Sequence, residues 1–518
     1  MAVVQCGGHC SNCMSRNVHD ERARSARSTV DQAIRSVPWT LFSYGLDRGI
    51  GWISTVVLAR LLEPRDFGLM AIAVLAIGLV NQFSGLGLGG ALVLDRSLDR
   101  RGQGTVLTVL SATGVLFGGL VAALAPWIAR AFNEPRLTPL LYALSGVVAL
   151  TSFNWFHTTL LERELAFGRR FVAVGIQSVV SSVVAVVLAF SGAGVWSLVL
   201  GVAAGAVAYT FGLLLVTPDH VWPTFDRAAA RRVLSVGRGF LLQNGASFLQ
   251  QNVDYIVVGR TLGARPLGFY SMAYRLGELP QSGIAHPIAK VTFPAFVRIQ
   301  EHGGDIRAAF LSALRFVGLV SAPIGLVISA AAGPFVHTVF GAKWSPAVGP
   351  VAVFGVWAVV RVVQVTFEWF LNSVGQAALV GRIAVGLALA HVPALVAAAV
   401  WSGITAVAWV MLAHICVTLV ALMVAASRVA DVSLRNQWRA MRPIVLGSLA
   451  GWGAARAAVA VVSASAAIEL VLSVVAGVIA YCAVTWAAEP SLPRSTARLV
   501  VRAMRRGAVR PASPSAGA

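Results

Sequence analysis

Apolar and polar residues follow one another along this chain in long blocks. About fourteen apolar runs approach or exceed the roughly 20 residues a helix needs to cross a bilayer's hydrocarbon core. They lie near 38–62, 67–94, 105–132, 137–161, 171–191, 194–217 and 237–260, then 265–296, 308–332, 346–372, 376–400, 402–427, 443–463 and 466–488. Pro64, Pro135, Gly192, Pro218, Pro346 and Pro443 punctuate the borders, where a missing N–H or a missing side chain interrupts a helix. The pattern predicts an all-α polytopic membrane protein.

One polar turn organises the rest. Arg60-Leu-Leu-Glu-Pro-Arg-Asp-Phe-Gly68 separates the first two runs, and Arg260-Thr-Leu-Gly-Ala-Arg-Pro-Leu-Gly268 separates the seventh and eighth. Aligned without a gap, Val57, Arg60, Leu62, Arg65 and Gly68 match Val257, Arg260, Leu262, Arg265 and Gly268. Leu41, Gly45 and Ala73 match Leu241, Gly245 and Ala273. A helix–turn–helix that recurs after six spans predicts two six-helix lobes in the same orientation. The expected organisation is a tail at 1–37, an N-lobe at 38–217, an amphipathic linker at 218–236 and a C-lobe at 237–427. Two further helices with their preceding loop occupy 428–488, and a basic tail occupies 489–518.

Composition supports the membrane reading. The chain is 57% hydrophobic and 12% charged, whereas soluble domains carry roughly 25% charged residues. The net charge of +20 is spread over loops and tails, which argues against a nucleic-acid partner. With both termini inside, inner loops and tails hold roughly 27 Arg and Lys against 7 outside, the bias of the positive-inside rule. That predicts a multi-pass membrane protein with both termini cytoplasmic. The basic linker suits the anionic inner leaflet. Cys6, Cys10 and Cys13 have a cluster-like spacing, but the alternating strands and helices of the matching enzymes are missing, so no metal or cofactor is expected.

Ionisable residues inside spans mark candidate chemistry, because a charge in hydrocarbon faces a cavity or a partner. Asp47 and Arg48 stand in the first run, Asp254 in the seventh, and Arg275 and Glu278 in the eighth. Arg361, Gln364 and Glu368 form a polar stripe at helical spacing in the tenth. Arg275 with Glu278 also reads as a local ion pair. Arg60, Arg65, Arg260 and Arg265 read as interfacial anchors, as do Trp39, Trp127, Trp222 and Trp344. His391 and His414 read as helix-contact residues. Gly85 and Gly87 loosen the second run, and Pro280 and Pro287 interrupt the eighth. Paired interruptions suggest hinges beside a transport site, or close packing through small residues. No P-loop, H-E-x-x-H or Gly-x-Ser-x-Gly motif occurs, and no outer loop is long enough for a membrane glycosyltransferase or polymerase, so the chain is read as no enzyme.

Val57-Leu-Ala-Arg-Leu-Leu-Glu-Pro-Arg-Asp-Phe-Gly-Leu and Phe83-Ser-Gly-Leu-Gly-Leu-Gly-Gly-Ala-Leu resemble the opening of Wzx-type polysaccharide flippases. Asn252-Val-Asp-Tyr-Ile-Val-Val-Gly-Arg and the run on to Val291-Thr-Phe-Pro-Ala-Phe extend the likeness. The resemblance implies the fold of the multidrug/oligosaccharidyl-lipid/polysaccharide exporters. It implies alternating-access movement of undecaprenyl-pyrophosphate-linked oligosaccharides to the outer leaflet, beside membrane lipids and polysaccharide polymerase and chain-length machinery. Arg48, Arg275 and Arg361 then suit a diphosphate. Asp47, Asp254, Glu278, Gln364 and Glu368 suit ion coupling or sugar hydroxyls. A multidrug cation exporter or a lipid II flippase is the alternative; intramembrane arginines disfavour the former.

Overall fold

A computed structural model describes residues 48–84, 100–164, 166–217, 221–227, 230–231, 248, 250–301, 303–461 and 465–489. Among these, every regular element is helical. Among the described residues, ten helical stretches, with Ala377–Val429 counted as one, are long and apolar enough to cross a bilayer, and the chain is a multi-pass helical membrane protein.

The first half contains α1 (48–61), α2 (Pro64–Ser84), α3 (Arg100–Ala131), α4 (Leu137–Arg163), α5 (Phe167–Phe190) and α6 (Val195–Val216). The second opens with α7 (250–262) and α8 (Ala264–Gly277), which runs through a π-helical turn, Gln281–Ala285, into α9 (His286–Glu301). There follow α10 (Ile306–Ala330), the short α11 (Ala332–Val339) and α12 (Val348–Ser373). Ala377–Val429 is a continuous helical stretch broken at Gly403, whose φ of 77° only glycine adopts readily. We call its arms α13 and α14. His391 and His414 stack across the break with ring centroids 3.9 Å apart. A straight helix would hold them roughly 35 Å apart, so the arms fold back as a hairpin. Helices α15 (Leu434–Val461) and α16 (Ala466–Ala488) close the chain.

Local chemistry sets several of these ends. Pro64 is the first residue of α2, where its missing N–H is no loss. The Asp66 carboxylate reaches back to accept from the Glu63 N–H at 3.1 Å. Asp305 caps α10 by accepting from Arg307 and Ala308 N–H. Pro280 and Pro287 flank the π-turn, and a proline's missing donor weakens the regular i→i−4 ladder there.

Neighbouring helices pair along the chain, α3 with α4, α5 with α6 and α15 with α16, while α2 packs on α8 across the two halves. That crossing is reciprocal. A Cβ on Gly68 would strike the Ala264 carbonyl oxygen, and a Cβ on Gly268 would strike that of Pro64. Pro64 aligns with Ala264 and Gly68 with Gly268, so the two copies of the turn meet through the same two positions.

Further contacts brace the α1–α2 turn. The Trp344 indole N–H donates to the Ala59 carbonyl at 2.9 Å, and Lys343 donates to the Arg60 and Leu62 carbonyls. Arg60 donates to the Val339 carbonyl at 2.9 Å and to that of Thr338. Arg65 pairs with Glu134 at 2.7 Å. Arg60 and Arg65 are therefore clasps on neighbouring segments as well as polar residues near a helix end. Trp344 is not a belt residue either. It is 0% exposed, turned inward by the 3-10 segment Ala342–Ala347 and packed edge-on against Phe67 and Phe269. Trp127 and Trp222 remain exposed, as the belt reading expects.

Candidate functional site

A polar vestibule lies against α1 and α8. It has two adjoining compartments that share Gly51, Thr55, Arg275 and Glu278. One, of about 490 Å³, reaches α2, α5, α6 and α7. The other, of about 500 Å³, is bounded by α1, α8, the π-turn and His286 at the start of α9. Both lie within the roughly 300–1,000 Å³ of small-ligand sites.

Arg48, Arg275 and Glu278 line the vestibule and are exposed to it. Helix α1 supplies Arg48 one turn before Gly51 and two turns before Thr55, so the three share a face. On α8, Arg275 and Glu278 are three apart, yet no ion pair joins them among the described residues. Glu278 instead sits in the field of Arg361, Arg275 and Arg48 together.

Arg361 is one layer back. Its Nε donates to Gln281 Oε1 and its Nη1 to Gln364 Oε1, both at 3.2 Å. The Gln364 amide donates to Glu368 Oε1 at 2.7 Å, and that oxygen lies 3.7 Å from Arg361 Nη1. The stripe on α12 is thus a connected network that grips the π-turn through Gln281, which itself lines the vestibule. Glu368 offsets Arg361 in part. Among the described residues, Arg48 and Arg275 face Glu278 at the wall with no ion pair joining them.

Asp254 is placed differently. It is 1% exposed, behind the wall that Tyr255 and Tyr274 present to the vestibule. Its Oδ2 accepts from the Tyr270 hydroxyl at 2.6 Å, and its Oδ1 has no partner. It belongs to a cluster of rings in which Tyr255, Tyr270, Tyr274 and Phe354 meet edge-on or stacked. Asp47, Gly85 and Gly87 lie outside the described residues, as does the side chain of Pro287. Pro280 immediately precedes the π-turn.

His286 stands among the ionisable residues of the eighth run, but Gln281 and Ser282 carry no charge and fall outside that argument. The interruption between Pro280 and Pro287 was the available signal for them. A separate cavity of about 440 Å³ lies among α10, α12, α14 and α15. Its wall is hydrocarbon apart from Ser448 and the Trp452 indole, so it does not suit a phosphate.

Residues 57–349, more than half of the chain, match the family described as polysaccharide biosynthesis protein. The chain belongs to that family. Among its relatives is the lipopolysaccharide biosynthesis protein WzxC of Escherichia coli K12. The two are 25% identical over 61% of this chain and 64% of WzxC. The succinoglycan biosynthesis transport protein ExoT of Rhizobium meliloti is 25% identical over 66% of this chain and 70% of its own length. The teichuronic acid biosynthesis protein TuaB of Bacillus subtilis is 26% identical over 63% and 68%. The match thus spans just under two thirds of WzxC. The likeness read from the two turns to Wzx-type proteins is borne out.

Among solved structures, the lipid II flippase MurJ in an inward closed conformation superposes with a TM-score of 0.73 at 13% identity. The match covers 87% of this chain and 98% of MurJ. An inward-facing MATE multidrug transporter of the MOP superfamily superposes at 0.60 with 15% identity, over 77% and 98%. These two likenesses show that this chain has the fold of MurJ and of the MATE transporter, and they leave the cargo open.

Proposed function

We propose that this protein is a flippase for undecaprenyl-pyrophosphate-linked oligosaccharide, carrying it from the inner to the outer leaflet by alternating access. The observation that carries the reading is the vestibule. It is lined by polar side chains, is sized for a polar headgroup and, among the described residues, holds two exposed guanidinium groups against one carboxylate. Guanidinium forks bind phosphate oxygens in pairs. A cavity of that sign disfavours organic cations, so the multidrug reading is set aside. WzxC and ExoT are named for biosynthesis and transport of surface polysaccharides, which accords with the same cargo. A lipid II flippase differs only in the glycan.

On this reading fourteen helices span the bacterial plasma membrane. Two six-helix lobes, 38–217 and 237–427, share one orientation, with 218–236 as the inner-surface linker, 428–488 as two added helices with their preceding loop, and both termini cytoplasmic. Arg48 and Arg275 receive the diphosphate, and Arg361 positions Gln281 at the π-turn. Glu278 and Glu368 balance those charges, and Gln364 bridges Arg361 to Glu368. The π-turn after Pro280 acts as a hinge, with Gly85 and Gly87 as its counterpart in the first lobe. Polymerase and chain-length proteins are the expected neighbours.

The test is reconstitution in vesicles with a fluorescent undecaprenyl-diphosphate oligosaccharide in the inner leaflet. Outer-leaflet accessibility should rise faster than in protein-free vesicles. Equal rates overturn the reading.

A further inference from the structure

The two vestibule compartments differ in chemistry as well as position. Beyond their shared border at Arg275 and Glu278, one receives Arg48, Gln281, Ser282 and His286. The other receives no further charged side chain among the described residues. Its polar groups are hydroxyls and amides from both halves, including Ser54, Ser181, Ser182, Gln251 and Asn252. Among the described residues the Gln251 side chain makes no hydrogen bond, and that of Asn252 makes one, from its Nδ2 to the Phe248 carbonyl at 2.9 Å. Phe67, Phe248, Tyr255 and Tyr274 supply rings between these groups.

The compartments are stacked along the helix axes. On α1 the charged end begins at Arg48 and the border lies at Thr55, roughly 10 Å further on at 1.5 Å per residue. Helix α8 and the π-turn after it carry the same chemistry in reverse order, from Ser271 through Arg275 to Gln281. A cargo with an anionic end and a hydroxyl-rich end fits such a cavity in one direction.

We propose that the vestibule divides its cargo, taking the diphosphate in the compartment of Arg48 and an uncharged oligosaccharide in the compartment of Gln251 and Asn252. This rests on the flippase reading and adds a substrate class to it: glycans whose sugars nearest the diphosphate carry no carboxylate. Neutral sugar hydroxyls exchange hydrogen bonds with water for hydrogen bonds with serine and amide groups at little net cost. Their C–H faces pack on the rings. A sugar carboxylate taken there loses its hydration and meets no cation beyond the border.

The experiment compares two fluorescent undecaprenyl-diphosphate trisaccharides in vesicles, one of neutral hexoses and one with a hexuronate as its second sugar. The neutral cargo should cross at least about tenfold faster, the discrimination expected when a charged group enters a site without a partner. Gln251→Arg should narrow that ratio, and so should Ser182→Lys from the opposite wall. A folding defect slows both cargoes alike and leaves the ratio unchanged. Equal wild-type rates overturn the division while leaving the flippase reading standing. A ratio that neither variant moves, while both still carry the neutral cargo at the wild-type rate, places the selection elsewhere and also overturns it. If neither cargo crosses faster than in empty vesicles, both readings fall.

Discussion

Alanine at position 68 puts a methyl group against the carbonyl oxygen of Ala264, where the starts of α2 and α8 already touch. The obstacle is backbone, so no side-chain tip can swing aside, and the two helix starts must part. Overpacking of this kind costs about 1–3 kcal/mol. Gly268→Ala meets the Pro64 carbonyl from the other side and should cost the same. One parting movement relieves both contacts. The double variant should therefore cost less than the sum of the singles, with a coupling of about 0.5–3 kcal/mol. The turns close the end of the vestibule that Leu58 and Phe67 line, so the penalty falls on the state in which that end is sealed. A 1–3 kcal/mol bias changes the sealed-to-open ratio about 5- to 150-fold. The assay is the rate at which a membrane-impermeant maleimide, added on the turn side, labels Thr55→Cys in a background without native cysteines. Each single variant should raise that rate at least about fivefold, and the double should add little more. Unchanged labelling in both singles, or strictly additive effects in the double, would refute the reciprocal seal.

Arg48→Ala and Arg361→Ala should each abolish export while membrane insertion persists, and Lys should rescue only in part because it keeps charge without the fork. Full export by both alanine variants in a polysaccharide-surface assay would remove the assignment. Tyr270→Phe strips Asp254 of the hydrogen bond from the Tyr270 hydroxyl and should destabilise the detergent-solubilised protein by about 1–3 kcal/mol. Asp254→Leu added to Tyr270→Phe should recover part of that loss in thermal unfolding, and no recovery would argue against an unsatisfied carboxyl as the cause. Gly403→Ala forces a Cβ into a positive-φ break and should cost about 1–2 kcal/mol, read as a lower unfolding temperature with the α13–α14 hairpin retained.

Much of this architecture was legible in the chain because one turn is repeated without a gap. That alignment pairs Pro64 with Ala264 and Gly68 with Gly268, and the structure brings those residues into contact. The border expected between 400 and 402 falls beside the break at Gly403, since glycine is the residue that permits it. The network of Arg361, Gln364 and Glu368 follows directly from helical spacing. Other features lie beyond periodicity. Trp344 stands near a span end, where tryptophan ordinarily meets headgroups, and only the 3-10 turn shows that it points inward. Asp254 has the same sequence credentials as a cavity carboxylate. Its burial depends on Tyr270, sixteen residues away on the next helix. Gln281 enters the site because the backbone loosens into a π-turn, a local geometry that residue type alone does not encode. Arg275 and Glu278 have ideal spacing for a pair, yet each is exposed to the vestibule.

The glycine crossing has a consequence for how such a molecule can change. A bulkier residue in either turn is felt by the other, so the two turns are free to drift only together. The walls obey no such bond: one half lends Arg48 and the serines of α5, the other the amides of α7 and the π-turn. A frame with twofold likeness at its pivot can in this way grow a lopsided interior, suited to a passenger whose two ends are chemically unlike.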